Sequence, residues 1–462
     1  MPNTREVYKT KPEQYISNLL GHEGKGSLHS VLNERGWIES LSAGTQSFDR
    51  QNSLLSISIE LTEKGRSHIP QITDLLFQYI DLLKAGGPEE RIYLEQAKVA
   101  ELGFRFQEKG STVGFVYQMA PRLDEYPAED LLVAPYLMEG FDAALISKSL
   151  SFLRKDNVFM EISAPDLKTD QVEPWFNVPY SLSVGEIETV GFKGASLNLP
   201  PANPYLPNNL TLLPEDNETI SRVTDRPDLQ VWLDTDVTFG TPRANTSILL
   251  LTDGGLSSQK DRAYAELYRR LVNDTLSTTV YPAYLAGLGY ALGSSEAGFS
   301  ISLNGYQDKQ MQLLDTVIDH LFNAELTQER FATFKTGLIK DWQNAAKDKP
   351  YTQTLGALNT LLVSSTWSPA ALADTLAPLS LNELKNWRTG KLAKIGVIAG
   401  LHGNVSAKDA QTLQDFLQQK LPMAAIAKEK SSVTDITEQL LLNLNVDHND
   451  AALLLYVQDP DD

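Results

Sequence analysis

Apolar and polar residues alternate in two similar stretches of the chain. One runs from Leu55 to Ile59 (LSISI) and the other from Phe299 to Leu303 (FSISL). Alternation with a period of two predicts a strand that buries one face. An apolar helix pattern follows each stretch, at Ile69 to Leu83 and at Leu313 to Phe322. The copies lie roughly 240 to 245 residues apart, which indicates a repeated whole domain instead of a short solenoid repeat.

The repeat predicts an α+β protein of two homologous domains, each a mainly antiparallel sheet packed against several helices. We assign residues 1–198 to the first unit and 229–435 to the second. Residues 199–228 are predicted as a Pro-rich linker, because four prolines stand between Leu199 and Asn209 and prolines disfavour both helices and central strands.

The second copy opens with two apolar stretches that the first copy lacks. They are Leu229 to Asp234 and Thr246 to Leu251, which we predict to form a hairpin around Phe239 to Pro242. Each copy closes with a predicted buried strand, Val158 to Ser163 in the first and Ile395 to Leu401 in the second.

Residues 436–462 are predicted as a surplus strand hairpin that resembles the opening of another copy. Its strands are Gln439 to Val446 and Ala451 to Val457, on either side of a polar turn. We expect this hairpin to fill the gap in the first copy of a neighbouring molecule, which would give a homodimer by strand exchange.

Composition and charge exclude several classes of function. Asp and Glu number 59 against 40 Lys and Arg, a formal net charge of −19, which repels nucleic acid and anionic membrane surfaces. Such a charge favours basic peptides or metal cations as partners, although solubility is the simpler interpretation. There are no cysteines, so disulfides, thiolate zinc sites and cysteine nucleophiles are absent. No apolar run approaches the roughly 18 residues that span a bilayer.

The residues nominate no catalytic or metal-binding site. The six histidines are scattered, and neither H-E-x-x-H nor H-x-x-E-H occurs. The glycine-rich stretch Gly21 to Ser27 lacks the spacing of a phosphate-binding loop and is better interpreted as a break between two helices, with Ser27 capping the second and Gly36 ending it. There is no G-x-S-x-G motif for a nucleophilic serine. We therefore expect the chain alone to be catalytically inactive.

One segment suggests binding. Leu41 to Thr45 is extended and carries small side chains, so its edge can accept a peptide as an added strand. The alternative is that the segment simply pairs within its own sheet, which the residues alone favour.

Several motifs resemble one family in the same order along the chain. The stretch Tyr15 to Leu28 (YISNLLGHEGKGSL), followed by Gly36-Trp37, resembles the second domain of the insulin-degrading enzyme and pitrilysin family of inverzincin peptidases. Gly305 to Gln310 and Leu401 to Val405 are similar to its third domain. Asn203 to Pro207 resembles the segment between them.

This resemblance implies a zinc metalloendopeptidase of four related domains whose two halves enclose a chamber. The zinc ligands belong to the first domain of that family, and assisting residues belong to the fourth. The chain is then a non-catalytic middle portion that supplies chamber wall, hinge and a peptide-anchoring exosite, and it binds no zinc itself. Its partners would be a peptide substrate and the first and fourth domains of the same polypeptide.

A different interpretation is a structural or docking subunit of the same fold with no catalytic role. Relatives of the pitrilysin type imply a bacterial, periplasmic protein, and the cytoplasm is the other compartment considered.

The resemblance also implies the exosite residues, which anchor the substrate's N-terminal end by strand addition. The matching positions are Asn18, Gly21, Leu41, Ala43 and Thr45. Relatives have glycine at the middle of the edge segment, and Ala43 adds a methyl group that would crowd an incoming backbone. With the resemblance included, we favour an accessible edge.

Overall fold

A computed structural model describes residues 1–3, 5–214 and 220–459. The chain forms two compact units, Met1–Pro204 (unit 1) and Tyr205–Asp462 (unit 2). Each unit combines helices with a sheet that is mainly antiparallel, which confirms the predicted α+β class. None of the described helices is long and apolar enough to cross a bilayer.

Unit 1 is mostly helical around one strand pair. Its helices are α1 (Pro12–Leu20), α2 (Leu28–Glu34), α3 (Glu63–Arg66), α4 (Ile69–Gly86), α5 (Glu90–Arg105), α6 (Thr112–Arg122) and α7 (Ala143–Leu150), and its strands are β1 (Ile38–Ser47), β2 (Ser53–Leu61), β3 (Gln171–Val172) and β4 (Pro179–Tyr180). Strands β1 and β2 pair antiparallel, and β3 and β4 form a separate small ladder.

The core of unit 1 follows from the helical pattern of apolar positions. Helix α4 buries Leu75, Tyr79 and Leu83 on one face, as residues three and four apart do on a helix. It ends at Gly87, whose φ of 69° is the left-handed conformation that favours glycine. This confirms the helix predicted after the first alternating stretch.

Unit 2 contains a six-stranded sheet in the order β5-β6-β10-β7-β9-β8. Its strands are β5 (Ser221–Asp225), β6 (Leu229–Thr235), β7 (Arg243–Thr252), β8 (Leu288–Ser295), β9 (Gly298–Tyr306) and β10 (Ile395–Gly403), and its helices are α8 (Gln259–Leu285), α9 (Gln310–Asn323), α10 (Gln328–Asn344), α11 (Pro350–Leu362), α12 (Pro369–Leu376), α13 (Leu381–Lys391) and α14 (Ala407–Lys420). Among the strand pairs that the structure describes in this sheet, β10–β6 is the parallel one and the others are antiparallel.

The core of unit 2 is continuous beneath this sheet. Phe299 on β9 is fully buried and lies 6.1 Å, centroid to centroid, from the ring of Tyr268 on α8. The Tyr268 hydroxyl donates to the carbonyl of Leu321 on α9, so the buried phenol is satisfied. Helices α8 and α9 are thereby held against the same strand.

The hairpin predicted from Leu229 to Leu251 is wrong. Strands β6 and β7 exist, but they do not pair with each other, because β10 lies between them, parallel to β6 and antiparallel to β7. Neighbours along the chain usually pair, and here a strand far along the sequence takes the position between them.

The buried strand predicted at Val158 to Ser163 is also wrong. The segment belongs to no strand, and the side chains of Val158, Phe159, Met160 and Ile162 are 49%, 76%, 42% and 45% exposed. A strand becomes buried only when neighbours cover it, and no described strand of unit 1 pairs with this segment.

The predicted hairpin at 436–462 is not formed in its described part, residues 436–459. These residues contain no strand, and most of their apolar side chains are exposed. The predicted linker 199–228 also needs correction, since it includes β5, which pairs antiparallel with β6.

Hydrogen bonds hold the Pro-rich segment on both sides of the unit boundary at Pro204, each side to residues of its own unit. In unit 1, Arg91 donates to the carbonyl of Pro200 at 2.8 Å, and the Asn203 backbone N–H donates to the carboxylate of Glu95 at 3.4 Å. In unit 2, the hydroxyl groups of Tyr205 and Thr316 lie 3.1 Å apart. The segment is therefore ordered by its own neighbours on either side of Pro204.

Candidate functional site

The predicted exosite lies along β1, which pairs with β2 on one side only. The register places Leu41 opposite Ile59, Ala43 opposite Ile57 and Thr45 opposite Leu55. No other described strand pairs with β1, so its second edge keeps backbone groups that are free of strand pairing.

The side chains of Leu41, Ala43 and Thr45 share one face of β1. Leu41 is buried, whereas Ala43 and Thr45 are half-buried, and the residues between them are exposed. This alternation is the period of two expected for a strand that packs one face against helices. The structure therefore places these three predicted residues in a row beside α1.

The helix before β1 is interrupted by the glycine-rich stretch Gly21 to Ser27. Helix α1 ends at Leu20 and α2 begins at Leu28, where the Ser27 hydroxyl accepts the Ser30 N–H at 3.1 Å. Gly26 has a φ of 81°, and its carbonyl accepts a hydrogen bond from the N–H of Asn198. The predicted helix break and the Ser27 cap are confirmed.

Gly21 is required by proximity and not by its backbone conformation, since its φ is −91°. A Cβ at this position would lie 3.3 Å from the backbone nitrogen of Ala43 and 3.6 Å from the Ala43 Cβ. The end of α1 therefore approaches the middle of β1 closely. The methyl group of Ala43 points toward Gly21. The carbon atom by which Ala43 differs from the glycine of the relatives therefore packs against the end of α1.

Asn18 lies one turn before Gly21 on α1, and its side chain is already engaged. Its Oδ1 accepts a hydrogen bond from Nε2 of Gln96 on α5 at 3.1 Å. The other amide atom of Gln96, Oε1, is buried without a hydrogen-bond partner. The structure thus brings Gly21 and Ala43 together, whereas the side chain of Asn18 is hydrogen-bonded to α5.

Sequence reasoning missed the role of His22. Its side chain is 5% exposed, and its Nδ1 accepts a hydrogen bond from the Gly24 N–H at 3.0 Å. Burial lowers the pKa of His22 to about 4, because the charged imidazolium loses its hydration. A histidine directly before the glycines of a helix break was the available signal.

His29 on α2 is buried as well. Burial lowers its pKa, and the nearby negative charge of Glu23 opposes part of that shift. Both histidines are therefore held in surroundings that favour the neutral imidazole.

The arrangement offers groups that can bind a peptide backbone. Among the described residues, no three His, Asp or Glu side chains come close enough to hold a metal ion. The residues present thus do not fit a zinc site, and we derive no catalytic step through zinc. The geometry presents an unpaired edge of β1 next to the end of α1. Such an edge can bind an extended polypeptide backbone.

Two family descriptions match the chain. Residues 1–99 match the description "Peptidase M16 inactive domain", and residues 104–375 match "Middle or third domain of peptidase_M16". Together these two matches define the class of protein as domains of the peptidase M16 type. The chain belongs to the peptidase M16 family.

Curated relatives support the same assignment. Human insulin-degrading enzyme is 30% identical across 98% of this chain, and the chain covers 46% of that protein. The A-factor-processing enzyme of Saccharomyces cerevisiae is 25% identical across 91% of the chain, which covers 42% of that protein. The chain therefore spans about half the length of the curated relatives it matches.

The fold is that of a solved relative. The crystal structure of pitrilysin superposes with a TM-score of 0.75 over 91% of this chain and 46% of pitrilysin, at 20% sequence identity. This likeness shows the shared fold and confirms the expected resemblance to pitrilysin.

Proposed function

We propose that this chain is the non-catalytic portion of a zinc metalloendopeptidase and that β1 anchors an extended peptide by strand addition. The observation that supports this most directly is the open edge of β1 beside Gly21, where the missing side chain lets α1 approach Ala43. Backbone hydrogen bonds supply affinity in this binding mode, and side-chain pockets supply specificity.

The chain covers about half of its relatives' length, so the proposed partners include further domains of the same polypeptide. The zinc and its ligands would belong to other domains of the same polypeptide, and the two units would contribute chamber wall and hinge. The net charge of −19 favours peptides that carry Lys or Arg, since opposite charges raise the encounter rate.

A docking subunit without any catalytic partner is the second candidate. The description "inactive domain", which matches residues 1–99, is compatible with this candidate as well as with the first. Assaying the full-length protein with and without a chelator separates the two functions: chelator-sensitive peptide hydrolysis supports the peptidase, and none supports the docking subunit.

Strand addition is tested by hydrogen–deuterium exchange with a flexible basic peptide. We expect slower exchange of amides between Leu41 and Thr45 when the peptide is bound, because a new strand protects the edge. Unchanged exchange in β1 under conditions where titration calorimetry detects binding would overturn this assignment.

Two matched variants localise the effect. Ala43→Val enlarges the side chain that contacts Gly21 and should weaken peptide binding about tenfold, equivalent to about 1.4 kcal/mol. Ala291→Val changes an exposed residue on β8, the edge strand of unit 2, and should leave affinity unchanged. Equal losses in both variants, or a loss accompanied by a lower unfolding midpoint, would count against the β1 site.

A further inference from the structure

One face of the unit 2 sheet is open to solvent around its centre. Along β7, Thr246 and Ile248 are buried, and the Thr246 hydroxyl donates to Gln310 on α9, so this side of the strand faces the helices. Asn245 and Ser247 alternate with them and are exposed. The period of two along β7 therefore leaves the opposite side of the strand uncovered.

Gly400 lies on this open face, at the centre of the sheet. It is on β10, between Trp232 on β6 and Ser247 on β7. A Cβ at Gly400 would meet no described atom within 4 Å other than those of its chain neighbours, and the φ of this residue is not positive. Neither packing nor backbone conformation therefore requires glycine at this position.

Gly396, on the same face of β10, shows the contrast. A Cβ there would lie 3.2 Å from the Cβ of Ile426 and 3.3 Å from the carbonyl oxygen of Ala424, so close packing accounts for that glycine. Glycine in the interior of a strand weakens the strand and often marks a place where a ligand or another backbone approaches closely. At Gly400, no described part of the chain makes such an approach.

Two carboxylates border this open area. His402 lies opposite Asp234 in the register of β10 and β6, and its Nδ1 is 2.8 Å from Oδ2 of Asp234. The other ring nitrogen, Nε2, is 3.8 Å from Oδ2 of Asp236. Both carboxylates are half-buried, and no Lys or Arg of the described chain forms an ion pair with either. Even a protonated imidazole would leave one negative charge uncompensated, which a cationic group can neutralise.

Trp232 forms the side of the open area on β6. Its side chain is 37% exposed, and the guanidinium of Arg222 lies 5.1 Å from its ring centroid. Arg222 also forms an ion pair with Asp225 at 2.9 Å, so its charge is already compensated. The exposed part of the indole offers an apolar surface against which an aliphatic chain can pack.

The strand on the other side of Gly400 offers groups that suit a peptide backbone. The side chains of Asn245 and Ser247 on β7 are exposed, and no residue of the described chain forms a hydrogen bond with either side chain. An amide and a hydroxyl group each donate and accept, as pairing with backbone N–H and C=O groups requires. A peptide that crosses β7 can therefore be held there while one of its side chains lies over Gly400.

We propose that this area, the Gly400 site (Trp232, Asp234, Asp236, Gly400 and His402), binds an arginine or lysine side chain of an extended peptide. The aliphatic stem lies over Gly400 and against Trp232, and the cationic head reaches Asp234, roughly 7 Å further along the strands. The net charge of −19 attracts such peptides to the chain. This site rests on the proposed function in that its ligand is a peptide, but it lies in unit 2 and not on β1.

Affinity measurements on the 462-residue chain test the site with two blocked peptides of glycine and serine. One carries spaced arginines and the other carries citrulline in their place, which keeps the shape of arginine but has no charge. We expect the citrulline peptide to bind about tenfold more weakly than the arginine peptide. Asp234→Asn keeps an acceptor for the His402 N–H but removes the charge. It should weaken the arginine peptide about tenfold and leave the citrulline peptide unchanged.

Gly400→Val gives the sharpest test, because it fills the open area from its floor. It should weaken binding of the arginine peptide about tenfold. The thermal unfolding midpoint should stay the same or rise, since the added Cβ meets no described neighbour and valine favours strands. Ala291→Val introduces the same side chain on the same face of the sheet, but on β8, two strands beyond β7. This control should change neither the affinity nor the midpoint.

The outcomes separate this site from the one on β1. Binding that is weakened by Ala43→Val but not by Gly400→Val overturns the Gly400 site and leaves peptide binding at β1 in place. The reverse result supports the Gly400 site and removes β1 from that role, and losses in both variants support both sites. Equal binding of the citrulline peptide overturns the site and assigns the face to a neutral ligand such as a glycan. Failure of both peptides to bind overturns it as well.

Discussion

The two units have similar local patterns but different surroundings. Strand β9 has hydrogen-bonded neighbours on both sides, and its Phe299 is fully buried. Strand β2 has one strand neighbour over most of its length, and its Leu55 is half-buried. The same alternating sequence therefore gives an interior strand in one unit and an accessible strand in the other, and the number of neighbours decides which.

The helices before the strand pairs differ as well. In unit 2, α8 continues from Gln259 to Leu285 and packs along β8. In unit 1 the corresponding helix is broken between α1 and α2 by glycines, and Gly21 approaches β1. The break costs helical hydrogen bonds but creates the close contact on which the candidate peptide-binding edge depends.

Truncating the matching strand residues gives the largest expected difference between units. Phe299→Ala should lower the free energy of unfolding of unit 2 by about 3–5 kcal/mol, because it leaves a cavity in a closed core. Leu55→Ala should lower that of unit 1 by only about 1–2 kcal/mol, since part of this side chain already contacts water.

Denaturant unfolding followed by tryptophan fluorescence measures both effects, with the buried Trp37 in unit 1 and the partly buried Trp387 in unit 2 among the reporters. Equal costs at the two positions would break the comparison, because they would mean that β2 is as enclosed as β9.

Acid should affect unit 1 through His22. Its pKa is about 4 in the folded state against 6.5 when unperturbed, so the unfolded chain binds more protons between these values. The contribution is fully present above about pH 6.5 and is lost as the pH falls toward 4, up to about 3 kcal/mol.

His22→Asn keeps an acceptor for the Gly24 N–H but does not titrate. We expect it to flatten the fall in stability between pH 6.5 and pH 4 relative to the unchanged chain. His448→Asn, at an exposed position, is the control and should keep the original slope. An unchanged slope in His22→Asn would show that the helix break tolerates a charged imidazole.

Helix caps offer the smallest contrast. Ser27→Ala removes a buried hydroxyl that caps α2 beside the candidate site, and Ser406→Ala removes the cap of α14, where Asp409 completes a capping box. Each should cost about 1 kcal/mol in its own unit. Thermal unfolding detects this, and Ser27→Ala should additionally weaken peptide binding at β1. A loss of peptide binding in Ser406→Ala would contradict that separation.

Local features of the fold could be predicted from sequence. The alternation in β2 and β9, the apolar stripe of α4 and the Ser27 cap all depend on residues close in the chain. The pairing of β6 and β7 could not, because β10 enters between them from a distant part of the sequence. The exposure of Val158 to Ser163 depends on neighbours that local pattern does not reveal.

The candidate site shows the same division. The positions Asn18, Gly21, Leu41, Ala43 and Thr45 came from a family resemblance, and the alternation of the last three is visible in the sequence. The hydrogen bond from Gln96 to Asn18 and the approach of Gly21 to Ala43 arise from tertiary packing. No local pattern specifies which distant residue will hydrogen-bond to a given side chain. The hydrogen bond that engages Asn18 could therefore not have been predicted.

The anchoring of the Pro-rich segment has a practical consequence for dividing the polypeptide. Arg91 and Glu95 hold it as far as Asn203, while Tyr205 and Asn208 contact Thr316 and Asp308. Separate expression of the halves should therefore stop the first at Pro204 and start the second at Tyr205. A cut several residues to either side would remove from one half residues that hydrogen-bond to it. The same residues would then be attached to the other half as an unfolded tail.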